Sequence, residues 1–301
     1  MHILATLRGA LTLSLIVINT LFWGTPLLLL AAVKLLMPLR NARAFLSRGL
    51  IALAENWIGV NTLLLTAGGA LELEHRGDLD LERQQWYLMI SNHRSWVDIL
   101  VLQAAFNRRV PFLKFFIKDQ LKWVPVLGLA WWALDMPFMR RHSREYLEKH
   151  PEARGRDLEA TRRACEKFRL IPTTVINFVE GTRFTVAKRD AAGAPYRHLL
   201  PPRAGGVAFV LGAMGDMLHA TLDVTLAYGA RTPSLWDLCC GRLKRAIVHV
   251  RQRAIEPWMT GGSYSDDPAF REAFQRGLGS LWAEKDRLLD GLQSELSPGS
   301  A

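Results

Sequence analysis

The chain has 301 residues, half of them hydrophobic, and 38 Lys and Arg against 28 Asp and Glu give a formal net charge of +10. That length buries a full core, and a mean hydropathy of +0.07 excludes a polytopic membrane protein while leaving room for one or two embedded segments. The basic surface favours anionic lipid headgroups or acidic carriers, no nucleic-acid motif accompanies it, and Cys165, Cys239 and Cys240 lack metal-ligand spacing, which fits a reducing compartment without disulfides.

Gly9 to Val33 carries no charged residue and exceeds the roughly 20 residues that a membrane-crossing helix needs. It is also longer than the ~7–15 residues of a signal-peptide core. Gly24 and Pro26 inside the run are expected to kink it or split it into a re-entrant hairpin. Lys34, Arg40, Arg43 and Arg48 follow it, against Arg8 alone before it. That asymmetry expects the rest of the chain on the cytoplasmic face, taken as that of a bacterial inner membrane. Leu50 to Ala67 carries Glu55, Asn56 and Asn61 and reads as an amphipathic helix lying in the interface. Gly68-Gly69 then marks a boundary between an N-terminal anchor, residues 1–68, and the remainder, 69–301.

Beyond it the pattern predicts strands at Ala70–Glu74, Trp86–Ser91, Thr173–Phe178 and Leu222–Ala227. A helix is predicted from about Ser95 to Phe106, and another over Glu145–Phe168. The alternation argues for an α/β sandwich. Lys114, Lys118 and Lys122 recur every four residues among aromatic groups, with Trp123, Trp131 and Trp132 close by. They predict a basic helix suited to an anionic membrane surface. Asp266-Asp267-Pro268 reads as an N-cap with proline in the first turn. Phe270, Phe274, Leu278, Leu281 and Trp282 then continue an amphipathic helix.

Two polar strings stand out on apolar backgrounds. The first, Asn92-His93-Arg94-Ser95-Trp96-Val97-Asp98, places an imidazole and a carboxylate five positions apart. One continuous helix would point them about 140° apart, whereas a strand end followed by a helix start brings them together. The pair then serves as a general base with a carboxylate to hold it. Ser95-x-x-Asp98 also reads as a capping box, which is compatible with that role. The second string, Phe178-Val179-Glu180-Gly181-Thr182-Arg183, joins a glycine turn to a charge pair. Turn amides and a guanidinium fork suit a phosphate, with Glu180 holding Arg183 or meeting a polar group of the ligand.

Together, in this order, the two strings resemble the HxxxxD and EGTR motifs of the glycerolipid acyltransferase family. Phe138-Met139-Arg140-Arg141 resembles its arginine block, Arg141 matching best and Arg140 a close rival. Leu222–Tyr228 resembles its fourth block without the proline of bacterial members. That departure, with Leu199–Arg203 and Trp282–Asp286, is closer to eukaryotic lysophosphatidate and lysocardiolipin acyltransferases. The resemblance implies an α/β fold, a mixed sheet flanked by helices with a membrane-embedded helix or hairpin at its N-terminus. It implies acyl transfer from acyl-CoA or acyl carrier protein to 1-acylglycerol-3-phosphate or another lysophospholipid at a membrane surface, with neither metal nor cofactor. His93 and Asp98 would be catalytic, Glu180, Gly181, Thr182, Arg183 and Arg141 would bind the phosphate, and Asn92, Ser95 and Lys118 would support them. A non-catalytic membrane-binding module on the same fold is the alternative. No Gly-x-Ser-x-Gly elbow supports a serine hydrolase.

Overall fold

The computed structural model describes residues 2–139, 165, 166, 168–229 and 231–296. The Glu145–Phe168 segment, apart from Cys165, Glu166 and Phe168, and both Arg140 and Arg141 lie outside the described residues, as does residue 297 onward.

Two long helices come first, α1 (His2–Leu36) and α2 (Arg40–Thr66), each long and apolar enough to cross a membrane. Pro26 lies inside α1, which continues through it as one helix rather than dividing into a hairpin. The hairpin is instead α1 against α2. Asn19 Nδ2 donates to Asn61 Oδ1 at 2.9 Å and to Trp57 O at 3.0 Å, and the Trp57 indole donates to Thr20 Oγ1 at 3.1 Å. The helix expected at Leu50–Ala67 begins earlier, at Arg40, and runs to Thr66. Its polar residues face protein: Glu55 binds Arg83, Asn56 binds Arg108 and Asn61 binds Asn19. A polar group turned toward a partner no longer detracts from the apolar face opposite.

Both ends of α1 touch the rest of the molecule. Gly9 packs against Cys240 and Trp236, leaving no room for a side chain. Lys34 donates to Ala133 O at 3.0 Å and pairs with Asp135 at 2.6 Å. Large apolar side chains such as Leu7, Leu11, Phe22, Leu29 and Phe45 remain exposed along the pair.

After a turn at Ala67–Gly69 the chain alternates as the pattern predicts. Strands β1 (Glu72–Gly77) and β2 (Tyr87–Ser91) are followed by α3 (Val97–Phe106), β3 (Leu113–Phe115) and β4 (Ile117–Lys118). Next come α4 (Leu127–Ala133), β5 (Phe138–Met139) and β6 (Thr174–Phe178). Helices α5 (Val186–Ala192) and α6 (Ala204–Met214) precede β7 (Ala220–Ala227). The chain continues with α7 (Leu235–Cys239), β8 (Arg245–Arg253), α8 (Pro257–Thr260) and α9 (Pro268–Glu295).

Six strands form one mixed sheet in the order β1-β8-β7-β2-β6-β3, and β4 pairs with β5 apart from it. Strands β7, β2, β6 and β3 run parallel, while β8 is antiparallel to β7. Every residue of β2 is buried. Leu88 and Ile90 face a core completed by α6 and α9, whereas Tyr87 and Met89 face one completed by α3. The result is helix, sheet, helix, as a parallel sheet requires.

The lysine helix is not formed. Lys114 lies in β3, Lys118 in β4, and only Lys122 sits in a helical turn, at Asp119–Trp123. The free edge of β6 recruits Leu113–Phe115 as a partner, and that pairing outweighs the four-residue spacing. Lys114 is buried, with its ammonium over the Phe168 ring at 4.3 Å.

The closing helix starts as its sequence predicts, Asp267 Oδ1 accepting from Ala269 and Phe270 N–H at 2.9 and 3.0 Å. It is pinned to the sheet by a buried ion pair, Lys285 Nζ to Asp223 Oδ1 at 2.5 Å. Arg253 links Asp223 onward to Glu284. Burial pushes the Lys285 pKa down while Asp223 opposes the shift. Lys285→Met should destabilise the protein by about 3 kcal/mol or more, because it leaves a buried carboxylate short of its partner. Asp223→Asn combined with Lys285→Met should recover most of that loss, as read by thermal melting of the full chain in detergent.

Candidate active site

The two strings and the end of the fourth block emerge at the carboxyl ends of three neighbouring parallel strands: His93 after β2, Glu180 after β6 and Tyr228 after β7. Ligands of open α/β sheets bind at that edge. Asn92 carries the ladder one step further with its side chain. Its Nδ2 donates to Leu226 O at 3.0 Å and its Oδ1 accepts from Leu226 N–H at 2.8 Å.

His93 is held through every part of the residue. Its N–H donates to Glu180 Oε1 at 2.7 Å and its carbonyl accepts from Phe184 N–H at 2.7 Å. Its ring stacks on Phe178, centroids 4.1 Å apart. Nδ1 lies 2.7 Å from Asp98 Oδ2. A carboxylate only accepts, so Nδ1 carries a proton, and in the neutral ring Nε2 is the bare nitrogen.

Asp98 is fully buried and accepts four donors. Besides the imidazole, Oδ2 takes Arg94 N–H at 2.6 Å and Ser95 N–H at 2.9 Å, and Oδ1 takes the Tyr228 hydroxyl at 2.8 Å. The capping box is therefore present in part: Asp98 reaches back to Ser95 N–H, while Ser95 Oγ takes Val97 N–H at 2.9 Å. One carboxylate thus closes the loop before α3 and orients the imidazole. Burial and the Asp98 charge push the Tyr228 pKa well above its usual range, so it stays a donor. The sequence shows Tyr228 only as the end of an apolar strand, and nothing in it announces this bond.

Glu180 does not grip Arg183, and the phosphate-binding expectation for its carboxylate is corrected. It is 1 % exposed, and its two oxygens accept from backbone amides, His93 at 2.7 Å and Leu200 at 2.9 Å. Burial pushes its pKa up to about 7; the amides oppose this, Asp98 adds to it, and Arg94 lowers it. Arg94 is buried too, its guanidinium over Phe184 at 5.3 Å, and Nε and Nη1 have no hydrogen-bond partner among the described residues.

Gly181 turns the chain at φ +66, a conformation open to glycine without strain. Arg183 is exposed and lies over the Trp96 ring at 5.5 Å. Lys188 Nζ donates to Thr182 Oγ1 at 2.8 Å and to Arg183 O at 2.9 Å. Lys118 is exposed on β4 beside Met139, and no hydrogen bond or ion pair of the His93 site includes it among the described residues.

A model of the Acyltransferase family matches residues 72–228, more than half of the chain, and the chain belongs to that family. It is 27% identical over 253 residues to the human 1-acyl-sn-glycerol-3-phosphate acyltransferase delta, covering 80% of this chain and 60% of that protein. It is 23% identical over 257 residues to the mouse epsilon enzyme, covering 78% and 62% respectively. The chain thus spans about three-fifths of the length of these relatives. The crystal structure of PlsC, the 1-acyl-sn-glycerophosphate acyltransferase of Thermotoga maritima, shares the fold, with TM-score 0.52 at 15% identity over 97% of both chains.

Glu180 supplies a pH test of this geometry. Its folded pKa of about 7 lies above the ordinary 4.5, so the folded state binds the proton first. The corresponding stability is present in full below about 4.5 and lost as pH rises through about 7. The melting temperature of the wild type should therefore gain on that of Glu180→Gln as pH falls between these values. A pH-independent difference would contradict it.

Proposed function

We propose that the chain transfers a fatty acyl group from acyl-CoA or acyl carrier protein to the free hydroxyl of 1-acylglycerol-3-phosphate, giving phosphatidate. His93 Nε2 takes the hydroxyl proton as the oxygen attacks the thioester carbonyl, and returns it to the departing thiolate. Asp98 keeps Nδ1 protonated and stabilises the imidazolium. Asn92 and Ser95 hold the loop, and Glu180 fixes its backbone. Arg183, with the Thr182 amide beside it, grips the acceptor phosphate; Gly181 shapes the turn, its own N–H donating to Phe178 O at 2.9 Å, and Arg141 and Lys118 keep the assisting roles that the resemblance implies. The contact between His93 and Asp98, made across a strand-to-helix turn, carries this reading. Kinship with enzymes named for this acceptor supports it.

Transfer is direct, without an acyl-enzyme. All three cysteines are buried, and burial pushes the Cys165 thiol up to about 12, far from a thiolate at neutral pH.

Residues 1–68 form the membrane-contacting segment and 69–301 the acyltransferase domain. Since α1 touches the globular part at both ends, a bilayer does not separate its ends. The helix pair lies in one leaflet, bringing the His93 edge to lysolipid dissolved there. With both ends of α1 on one side, the basic residues at those ends, Arg8 near its start and Lys34, Arg43 and Arg48 near and beyond its end, support the cytoplasmic face.

Two kinetic outcomes follow for the purified chain. His93→Ala should lower turnover by roughly 10²–10⁴-fold while leaving the fold intact; near-normal turnover would remove the mechanism. Arg183→Lys keeps the charge and loses the fork, so acceptor KM should rise well beyond donor KM.

A further inference from the structure

We propose that Arg203 supplies a second guanidinium to the acceptor phosphate and selects a phosphomonoester over a phosphodiester. The inference rests on the reading of Arg183 and its turn as the phosphate grip.

Arg203 is twenty residues beyond Arg183 in the chain but is tied to the same turn. Its N–H donates to Val179 O at 2.8 Å, and Leu200 N–H donates to Glu180 Oε2 at 2.9 Å. Its side chain crosses the face of Gly181: a Cβ there would stand 2.9 Å from Arg203 Cδ and 3.5 Å from Nε. Glycine at 181 therefore serves both the left-handed turn and the passage of this arginine.

Arg203 is exposed, and its guanidinium makes no hydrogen bond or ion pair among the described residues. It stands as the N-cap of α6 without capping it by its side chain, and open space surrounds the next residue but one, Gly205. Arg183 belongs to the same turn by sequence, and its guanidinium rests over Trp96. Lys188 donates to Thr182 Oγ1, which leaves the hydroxyl proton of Thr182 to give to an anion.

Two guanidinium forks on one glycine turn exceed what a singly charged phosphodiester requires. A phosphomonoester carries about −1.5 to −2 near pH 7 and presents three terminal oxygens, enough for both forks. A headgroup esterified to the phosphate removes one of those oxygens and part of the charge.

The test uses the full chain in detergent micelles with 1-acylglycerol-3-phosphate and 1-acylglycerophosphoglycerol as acceptors. Wild type should favour the phosphomonoester in kcat/KM. Arg203→Gln should raise its KM by about 10- to 100-fold, the range for a lost charge-assisted hydrogen bond. The phosphodiester KM should move far less, and kcat and donor KM should stay level. Arg203→Lys should recover part of the monoester KM, and it carries the test alone if Arg203→Gln does not fold. An unchanged monoester-to-diester ratio in a folded variant, or a wild-type preference for the phosphodiester, overturns the role of Arg203. Wild type inactive on every lysophospholipid would instead overturn the acyltransferase reading.

Discussion

A single buried carboxylate organises the site. Asp98 receives an imidazole, two backbone amides and a phenol. In a dry environment each bond is stronger than in water, and each would be costly to lose. Because three of the four donors come from residues 93–95, the loop can close around Asp98 in essentially one way. The tautomer of His93 follows from that closure, and the fourth donor ties the loop to the end of β7.

The second string serves the first more directly than its residue types imply. Glu180 and Phe184 satisfy the N–H and the carbonyl of His93, and Phe178 supports its ring. Its partner strands β2 and β6 are neighbours, so 87 residues of separation become one hydrogen bond. What remains exposed on that turn is cationic, namely Arg183, Lys188 and, across Gly181, Arg203. Under the proposed function, the buried half of the turn positions the base and the exposed half meets the anion, so that a glutamate can stand beside a phosphate without repelling it.

The parallel strands were legible because buried strands read as short apolar runs, and Tyr87–Ser91 and Thr174–Phe178 are such runs. The His93–Asp98 contact was legible because its spacing makes sense only across a strand-to-helix junction. Strand β8 was not: His249, Arg251 and Arg253 interrupt its apolar positions, and their charges are balanced only in three dimensions, as Arg253 is by Asp223 and Glu284. The lysine periodicity misled because it is local, whereas strand pairing at the edge of β6 is not. Glu180 was misjudged for a related reason, since whether a carboxylate meets a ligand or a backbone amide depends on burial, which residue type does not encode.

The central claim is that Asp98 holds the His93 ring with Nδ1 protonated and Nε2 bare. The most direct measurement is nitrogen NMR of the full chain labelled at histidine, with the His93 signals assigned by their absence in His93→Gln and recorded at a pH where the ring is neutral. The account predicts one dominant tautomer bearing its proton on Nδ1, replaced by a mixture in Asp98→Asn. A wild-type ring protonated mainly on Nε2, or one exchanging freely between the two tautomers, would contradict it.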